Sequence, residues 1–313
     1  MTSSAPLLEV EALEVRSAQG PIVEGLSLTL RSGRVHALVG ESGSGKTVSC
    51  LALLQVLPAG LSATAARFLV QGVPVAFGSP AHRELRGRTV SMMVQDSSAS
   101  LDPVMRVGRQ LDEVLQDVAG VSPRDRSTRR EAVLREVGFP EPAWVASRFA
   151  HELSGGMRQR VSLALSLAAA PKVLIADEPT TALDASLRGG VLALLRELAR
   201  ERGLAVVMIT HDLDAAEAIA DDVTVLYAGR VAETGVAASC FAQPRHPYTA
   251  GLLAARPKGR TPPVPIPGSL PPLSERRAGC RFAPRCARAT AQCDLEPPLD
   301  GGVACVHPLE RSP

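Results

Sequence analysis

Three groups of residues in this chain have the types and spacing needed for chemistry. The first is Gly40–Thr47, Gly-Glu-Ser-Gly-Ser-Gly-Lys-Thr, which fits the pattern Gly-x4-Gly-Lys-Thr. A triphosphate is densely anionic and needs many donors close to its oxygens. Glycines let the backbone curl until the amides of Gly43, Ser44, Gly45 and Lys46 point inward at a helix start, where the dipole favours anions. Gly40 and Ser42 belong to the same cradle. Lys46 supplies an ammonium for the β- and γ-phosphates, and Thr47 a hydroxyl for Mg²⁺. The second group is Asp177-Glu178, at the end of the apolar run Val173–Ala176. Asp177 is placed to hold the Mg²⁺ shell, and Glu178 to polarise a water for in-line attack on the γ-phosphate. The third is Cys280-x5-Cys286-x6-Cys293-x11-Cys305. Four thiols are the number that ligates an iron–sulfur cluster or a tetrahedral zinc. The gaps are wider than the Cys-x2-4-Cys pairs common in structural zinc sites, and His307 is a candidate substitute ligand. Reduced, packed thiols are the remaining reading.

The elements that must position these groups can be read from periodicity. Val35–Val39 is a short buried strand running into the glycine loop, and Thr47–Val56 has the apolar spacing of a helix. Leu8–Val15 and Leu26–Leu30 alternate as half-buried strands, pointing to an antiparallel sheet ahead of the loop. Phe68–Val70 and Val90–Val94 read as further strands. The period then changes: Val107, Leu111, Val114, Leu115 and Val118 line one helical face, and Ser127–Val137 forms another helix. Arg124, Arg126, Arg129 and Arg130 are expected on the solvated surface of this helical insert. Strand–helix alternation resumes with Val173–Ala176, a helix marked by Leu187, Val191, Leu194, Leu195 and Leu198, and the strand Ala205–Ile209. A helix over Leu213–Ala220 and the strand Val223–Tyr227 follow. Such alternation predicts a parallel sheet covered by helices. Pro257–Pro272 holds seven prolines in sixteen residues, which no helix or central strand tolerates.

Bulk properties narrow the classes. A chain of 313 residues can bury one large core with a small appended unit. Aromatics at 3% imply an aliphatic, alanine-rich core, and a net charge of +2 gives no footprint for a nucleic-acid partner. Met1–Val15 lacks the basic-then-apolar order of a secretory signal. No run approaches the roughly 18 apolar residues of a membrane span. The expectation is a soluble, cytoplasmic protein, with any membrane association coming through a partner.

Leu153-Ser154-Gly155-Gly156-Met157-Arg158-Gln159-Arg160 resembles the signature sequence of ABC-type ATPases, and the Asp177-Glu178 strand follows it at the distance that family requires. Gln95 after a strand, Ala182-Leu183-Asp184, and His211 after a strand resemble the family's Q-loop, D-loop and switch histidine. The resemblance runs over residues 8–235. Within the family, Gln95–Met105, His246–Leu253 and Ile266–Leu273 resemble landmarks of the ATP-binding subunits of oligopeptide, dipeptide and nickel importers.

The resemblance implies an α/β P-loop ABC ATPase domain with a parallel core sheet, an antiparallel β subdomain and a helical subdomain at about 96–170. That domain is expected over residues 1–256, and a proline- and cysteine-rich extension over 257–313. It implies a head-to-tail sandwich in which Ser154, Gly155 and Gly156 cap the γ-phosphate held by a partner's glycine loop, with Asp184 among the nucleotide-binding residues. Gln95 would meet Mg²⁺ and the attacking water, and His211 the γ-phosphate. It also implies two transmembrane permease subunits, a second ABC ATPase as heterodimer partner, an extracytoplasmic substrate-binding protein, and a 4Fe-4S cluster on Cys280, Cys286, Cys293 and Cys305. Import of peptides is the function implied. Nickel or another small solute, or a role as accessory ATPase in a cytoplasmic enzyme complex, are the alternatives. Three departures stand out: Ser97 for proline, Asp102 for asparagine, and no aromatic near Arg16–Ser17 to stack on adenine. Arg16 could present its guanidinium plane there instead.

Overall fold

The computed structural model describes residues 5–96, 100–181, 183–257, 262–276 and 278–310. Ser97, Ala182, residues 258–261 of the proline-rich stretch and the first four residues of the N-terminal reading lie outside these.

Strands β1 (Pro6–Ser17) and β2 (Gly20–Arg31) form a long antiparallel hairpin, and β3 (Val35–Val39) enters the glycine loop that opens helix α1 (Lys46–Leu53). Short strands β4 (Ser62–Thr64), β5 (Arg67–Val70) and β6 (Val73–Pro74) complete an antiparallel sheet of order β2-β1-β5-β6, with β4 also paired to β1. Helix α2 (Pro80–Glu84) precedes β7 (Val90–Met93). Three helices then form the insert: α3 (Val107–Asp117), α4 (Arg126–Glu136) and α5 (Pro142–Ala146). Helix α6 (Gly155–Leu167) leads back to β8 (Val173–Asp177), α7 (Ala185–Arg202), β9 (Ala205–Thr210), α8 (Leu213–Ile219), β10 (Asp222–Tyr227) and β11 (Arg230–Val236). Helices α9 (Ala237–Ala242) and α10 (Pro247–Ala254) follow.

The second sheet runs β11-β10-β3-β9-β8-β7, parallel except for the β10–β11 pair. Its strands are continuous apolar runs because both faces are covered. On β3, Val35, Ala37 and Val39 join the cluster formed with the helices, and Leu38 points into a second cluster shared with α1 and the antiparallel sheet. The period-2 alternation of a strand thereby stitches two cores together. In the insert, Leu111, Leu115, Val133, Leu134 and Val145 bury against α6 side chains such as Val161. The four arginines expected on a solvated surface are partly engaged: Arg130 pairs with Asp112, and Arg126 Nε donates to the Val121 carbonyl.

The chain beyond the proline-rich stretch returns to the nucleotide-binding core. Phe282 belongs to the same buried cluster as the parallel sheet, with Ile266, Leu270, Cys280 and Cys286 packed against it. Tyr227 meets Tyr248 and Phe282 edge-on, and Tyr248 and Phe282 are tilted against each other, with centroids 4.6–5.3 Å apart.

Candidate active site

The sheet brings the separate motifs to one edge. Gly40 follows β3, Gln95 follows β7, Asp177 ends β8 and His211 follows β9, all at the carboxyl ends of parallel strands where ligands bind in such sheets. Two glycines of the loop have no substitute. A Cβ at Gly40 (φ +148°) would lie 2.2 Å from the Leu226 carbonyl oxygen, and one at Gly45 (φ +106°) 2.8 Å from Val23 Cγ2. The loop folds on itself through Ser44 N–H donating to the Glu41 carbonyl (3.2 Å), and the Ser44 carbonyl accepts from Gly229 N–H (2.8 Å). Ser44 Oγ is buried without a hydrogen-bond partner. An orphaned hydroxyl inside a ring of amides fits an anionic oxygen.

Lys46 is nearly buried, and its ammonium donates to the carbonyls of Gly40 (2.8 Å) and Glu41 (2.9 Å). Burial pulls its pKa down, while Glu178, Asp177 and Glu41 pull it back up. Thr47 Oγ1 donates to Asp177 Oδ1 at 3.3 Å, which puts a hydroxyl and a carboxylate side by side as hard oxygen ligands. Burial, with Glu178 adjacent, raises the Asp177 pKa, and the Thr47 bond and Lys46 oppose this. A divalent cation would remove that penalty, so these residues fit Mg²⁺.

Glu178 sits in the left-handed region (φ +49°), with its N–H donating to the Ile209 carbonyl of β9. Its carboxylate is held on both oxygens. Oε2 accepts from Thr181 Oγ1 (2.7 Å), and Oε1 is bonded to His211 N–H (3.2 Å) and Nδ1 (2.6 Å). A non-glycine residue held at positive φ in a candidate site is where strain tends to serve function. Buried Gln159 of α6 donates to the Pro179 carbonyl (2.7 Å), tying the signature helix to the turn after Glu178.

Ser154 caps α6, its Oγ accepting from Met157 N–H, and Ser154 and Gly155 are exposed. The open helix start presents amides and a positive dipole end to whatever lies outside the chain. Asp184 Oδ1 accepts from Leu187 N–H at the start of α7, and Gln95 is exposed. Arg16, the candidate adenine platform, is exposed on β1 and ion-paired to Glu14 (3.2 Å). The motifs gave no sign of the contacts of Thr181 and Gln159, nor of the grip on Glu41 described below. Thr181 acts on a carboxylate, Gln159 on a carbonyl and Glu41 on a guanidinium, each met only in the fold.

A glycine loop on a parallel strand, a Thr–Asp pair for a cation and a Glu–His pair at the neighbouring strand ends define a P-loop nucleotide hydrolase. Residues 23–181 match the family described as ABC transporter, and residues 232–293 the family described as oligopeptide/dipeptide transporter, C-terminal region. The oligopeptide transport ATP-binding protein OppD of Salmonella typhimurium is 42% identical, covering 97% of this chain and 95% of that protein. The dipeptide transport ATP-binding protein DppD of Escherichia coli is 39% identical, covering 97% of each. Among solved structures, cbiO1 of Clostridium perfringens, part of the ABC transporter complex cbiONQ, superposes with a TM-score of 0.65 at 27% identity, covering 76% of this chain and 92% of that one. A dimeric bacterial ABC transporter cassette gives 0.62 at 22% identity, covering 74% and 98%. The chain belongs to the ABC transporter family and is one of its transport-coupled ATPases. Among the described residues no helix is long and apolar enough to cross a membrane.

Proposed function

We propose that this chain is the ATP-hydrolysing subunit that powers import of peptides across the cell membrane through a partner permease. The match of residues 232–293 to the oligopeptide/dipeptide transporter C-terminal region carries this reading, because it lies outside the part common to ABC ATPases. Relatives named for oligopeptide and dipeptide transport over nearly the whole chain support it.

In the proposed cycle the amides of Gly43–Lys46 and the Lys46 ammonium hold the phosphates, and Thr47, Asp177 and Gln95 surround Mg²⁺. Glu178 polarises the attacking water, and His211 orients it against the γ-phosphate. Ser154, Gly155 and Gly156 cap the γ-phosphate of a second ABC ATPase, with Asp184 at the joint, so both sites are shared. Closure pulls on two transmembrane permease subunits fed by an extracytoplasmic binding protein, which places the chain at the cytoplasmic face of the membrane. We divide the chain into a nucleotide-binding domain (1–256, its helical part about 96–170) and an extension (257–313).

The extension is proposed to hold a 4Fe-4S cluster. All four cysteines line one narrow cavity with His307, and burial, with the other thiols nearby, raises the Cys280 and Cys305 thiols. Among the described residues no group of three or more His, Cys, Asp or Glu side chains is placed to hold a metal ion.

The test is purification of the tagged full chain from detergent-solubilised membranes of its native cell. Recovery of two multi-span proteins and a second, different ATPase subunit is expected. Recovery with a soluble enzyme complex and no membrane protein would overturn the reading.

A further inference from the structure

Glu41 is the one acidic residue inside the phosphate loop, and every polar group it carries is held. Its carboxylate receives the Arg285 guanidinium as a fork, Nη1 to Oε2 at 2.7 Å and Nη2 to Oε1 at 3.0 Å. Its N–H donates to the fully buried Tyr248 hydroxyl (2.9 Å), and its carbonyl accepts from Lys46 Nζ (2.9 Å). Arg285 is itself fixed: Nε donates to the Pro267 carbonyl (2.7 Å), Nη1 to the Tyr227 hydroxyl (3.3 Å), and its side chain is only 7% exposed. The same segment touches the loop a second time, where a Cβ on Gly43 would lie 3.3 Å from Leu270 Cδ2. Nearby tail arginines hold the wall behind it. Arg276 donates to the Ile22 carbonyl (2.8 Å), and Arg281 pairs with Glu24 and donates to the Ala228 carbonyl.

We propose that the C-terminal tail clamps the phosphate loop, and that Arg285 is a positioning residue for ATP binding which fixes Glu41 and neutralises its carboxylate beside the triphosphate. An unpaired carboxylate in that cradle repels the nucleotide, and the repulsion is strong where water is scarce. A planar guanidinium meets both carboxylate oxygens at once, which an ammonium cannot do. The pair spans 244 positions of sequence, so only the folded tail delivers the arginine. The inference concerns nucleotide affinity alone, so its failure leaves the peptide-import reading intact.

The test measures MgATP affinity of the full chain with a fluorescent ATP analogue, and KM and kcat of the assembled transporter. Arg285→Ala is expected to raise Kd and KM about tenfold, with kcat at saturating ATP changed less than about twofold. Arg285→Lys restores the charge without the fork and falls between. Adding Glu41→Gln to Arg285→Ala recovers most of the affinity, because the repelling charge is gone. Should Arg285→Ala not fold, Arg285→Lys with and without Glu41→Gln gives the same comparison. Wild-type affinity in the single variants, or a loss that persists undiminished after Glu41→Gln, overturns the proposal.

Discussion

At the scale of single residues, Glu178 is the group on which the proposed chemistry turns. It is buried, held on one oxygen by Thr181 and on the other by His211, and carried at φ +49° at the end of a central strand. Replacing it by glutamine retains shape and most hydrogen bonds but removes the negative charge that draws a proton from water. Glu178→Gln in the assembled transporter is expected to bind MgATP normally and to lose at least about 100-fold in steady-state hydrolysis. Hydrolysis within a fewfold of wild type would reassign the base. The position of Glu178 was legible because Asp-Glu follows a buried apolar run, and that of His211 because it follows another. Their direct contact was not legible, since sequence carries no distance between the ends of two strands.

Elements set what was readable and what was not. β3, β8 and β9 announce themselves as unbroken apolar runs, because each is buried on both faces. β4 and β6 have mostly exposed residues and little pattern, and β11 mixes Arg, Glu, Thr and Gly at the sheet edge. The described prolines at 257 and 262–272 lie in no helix or strand, yet they say nothing about the chain returning to pack Phe282 into the core. That return depends on tertiary pairs such as Arg281–Glu24 and Arg285–Glu41, each more than 240 positions apart. Regular structure in residues 278–310 is limited to short three-ten turns, Ala283–Arg285 and Ala291–Asp294. A segment so poor in regular structure gains order from ligation, which is the role proposed for a cluster there. Protein purified without oxygen is expected to be brown, with about four iron and four sulfide per chain. Colourless protein with one zinc, or with no metal, would remove the cluster and leave the nucleotide site as described.

For the molecule as a whole, three buried histidines, His36, His82 and His246, have pKa values lowered by burial and tie stability to pH. His36 on β3 bonds to Thr224, and burial lowers its pKa to about 4. His246 accepts from Tyr248 N–H through Nδ1, and burial lowers its pKa to about 4 as well. In the unfolded chain both titrate near 6.5, so between about 4 and 6.5 the unfolded state binds more protons and stability rises with pH. Their contribution is full above pH ~6.5 and fades as pH falls toward 4, on the order of 3 kcal/mol for each histidine over the full window. The melting temperature is expected to drop between pH 7.5 and 5, with His36→Gln making that drop shallower. A melting temperature flat over that range would mean that the histidines titrate in the fold as they do in the unfolded chain.

If this ATPase drives peptide movement, peptide transport by the reconstituted transporter depends on its nucleotide chemistry. The chain, its partner ATPase and the permease are placed in lipid vesicles with binding protein and a labelled oligopeptide inside, and MgATP outside, where the ATPase subunits face. Peptide is expected to leave the lumen with wild-type chain and ATP, and not with Glu178→Gln or without nucleotide. Hydrolysis that proceeds unchanged by any peptide, with no peptide moved across the membrane, would contradict it.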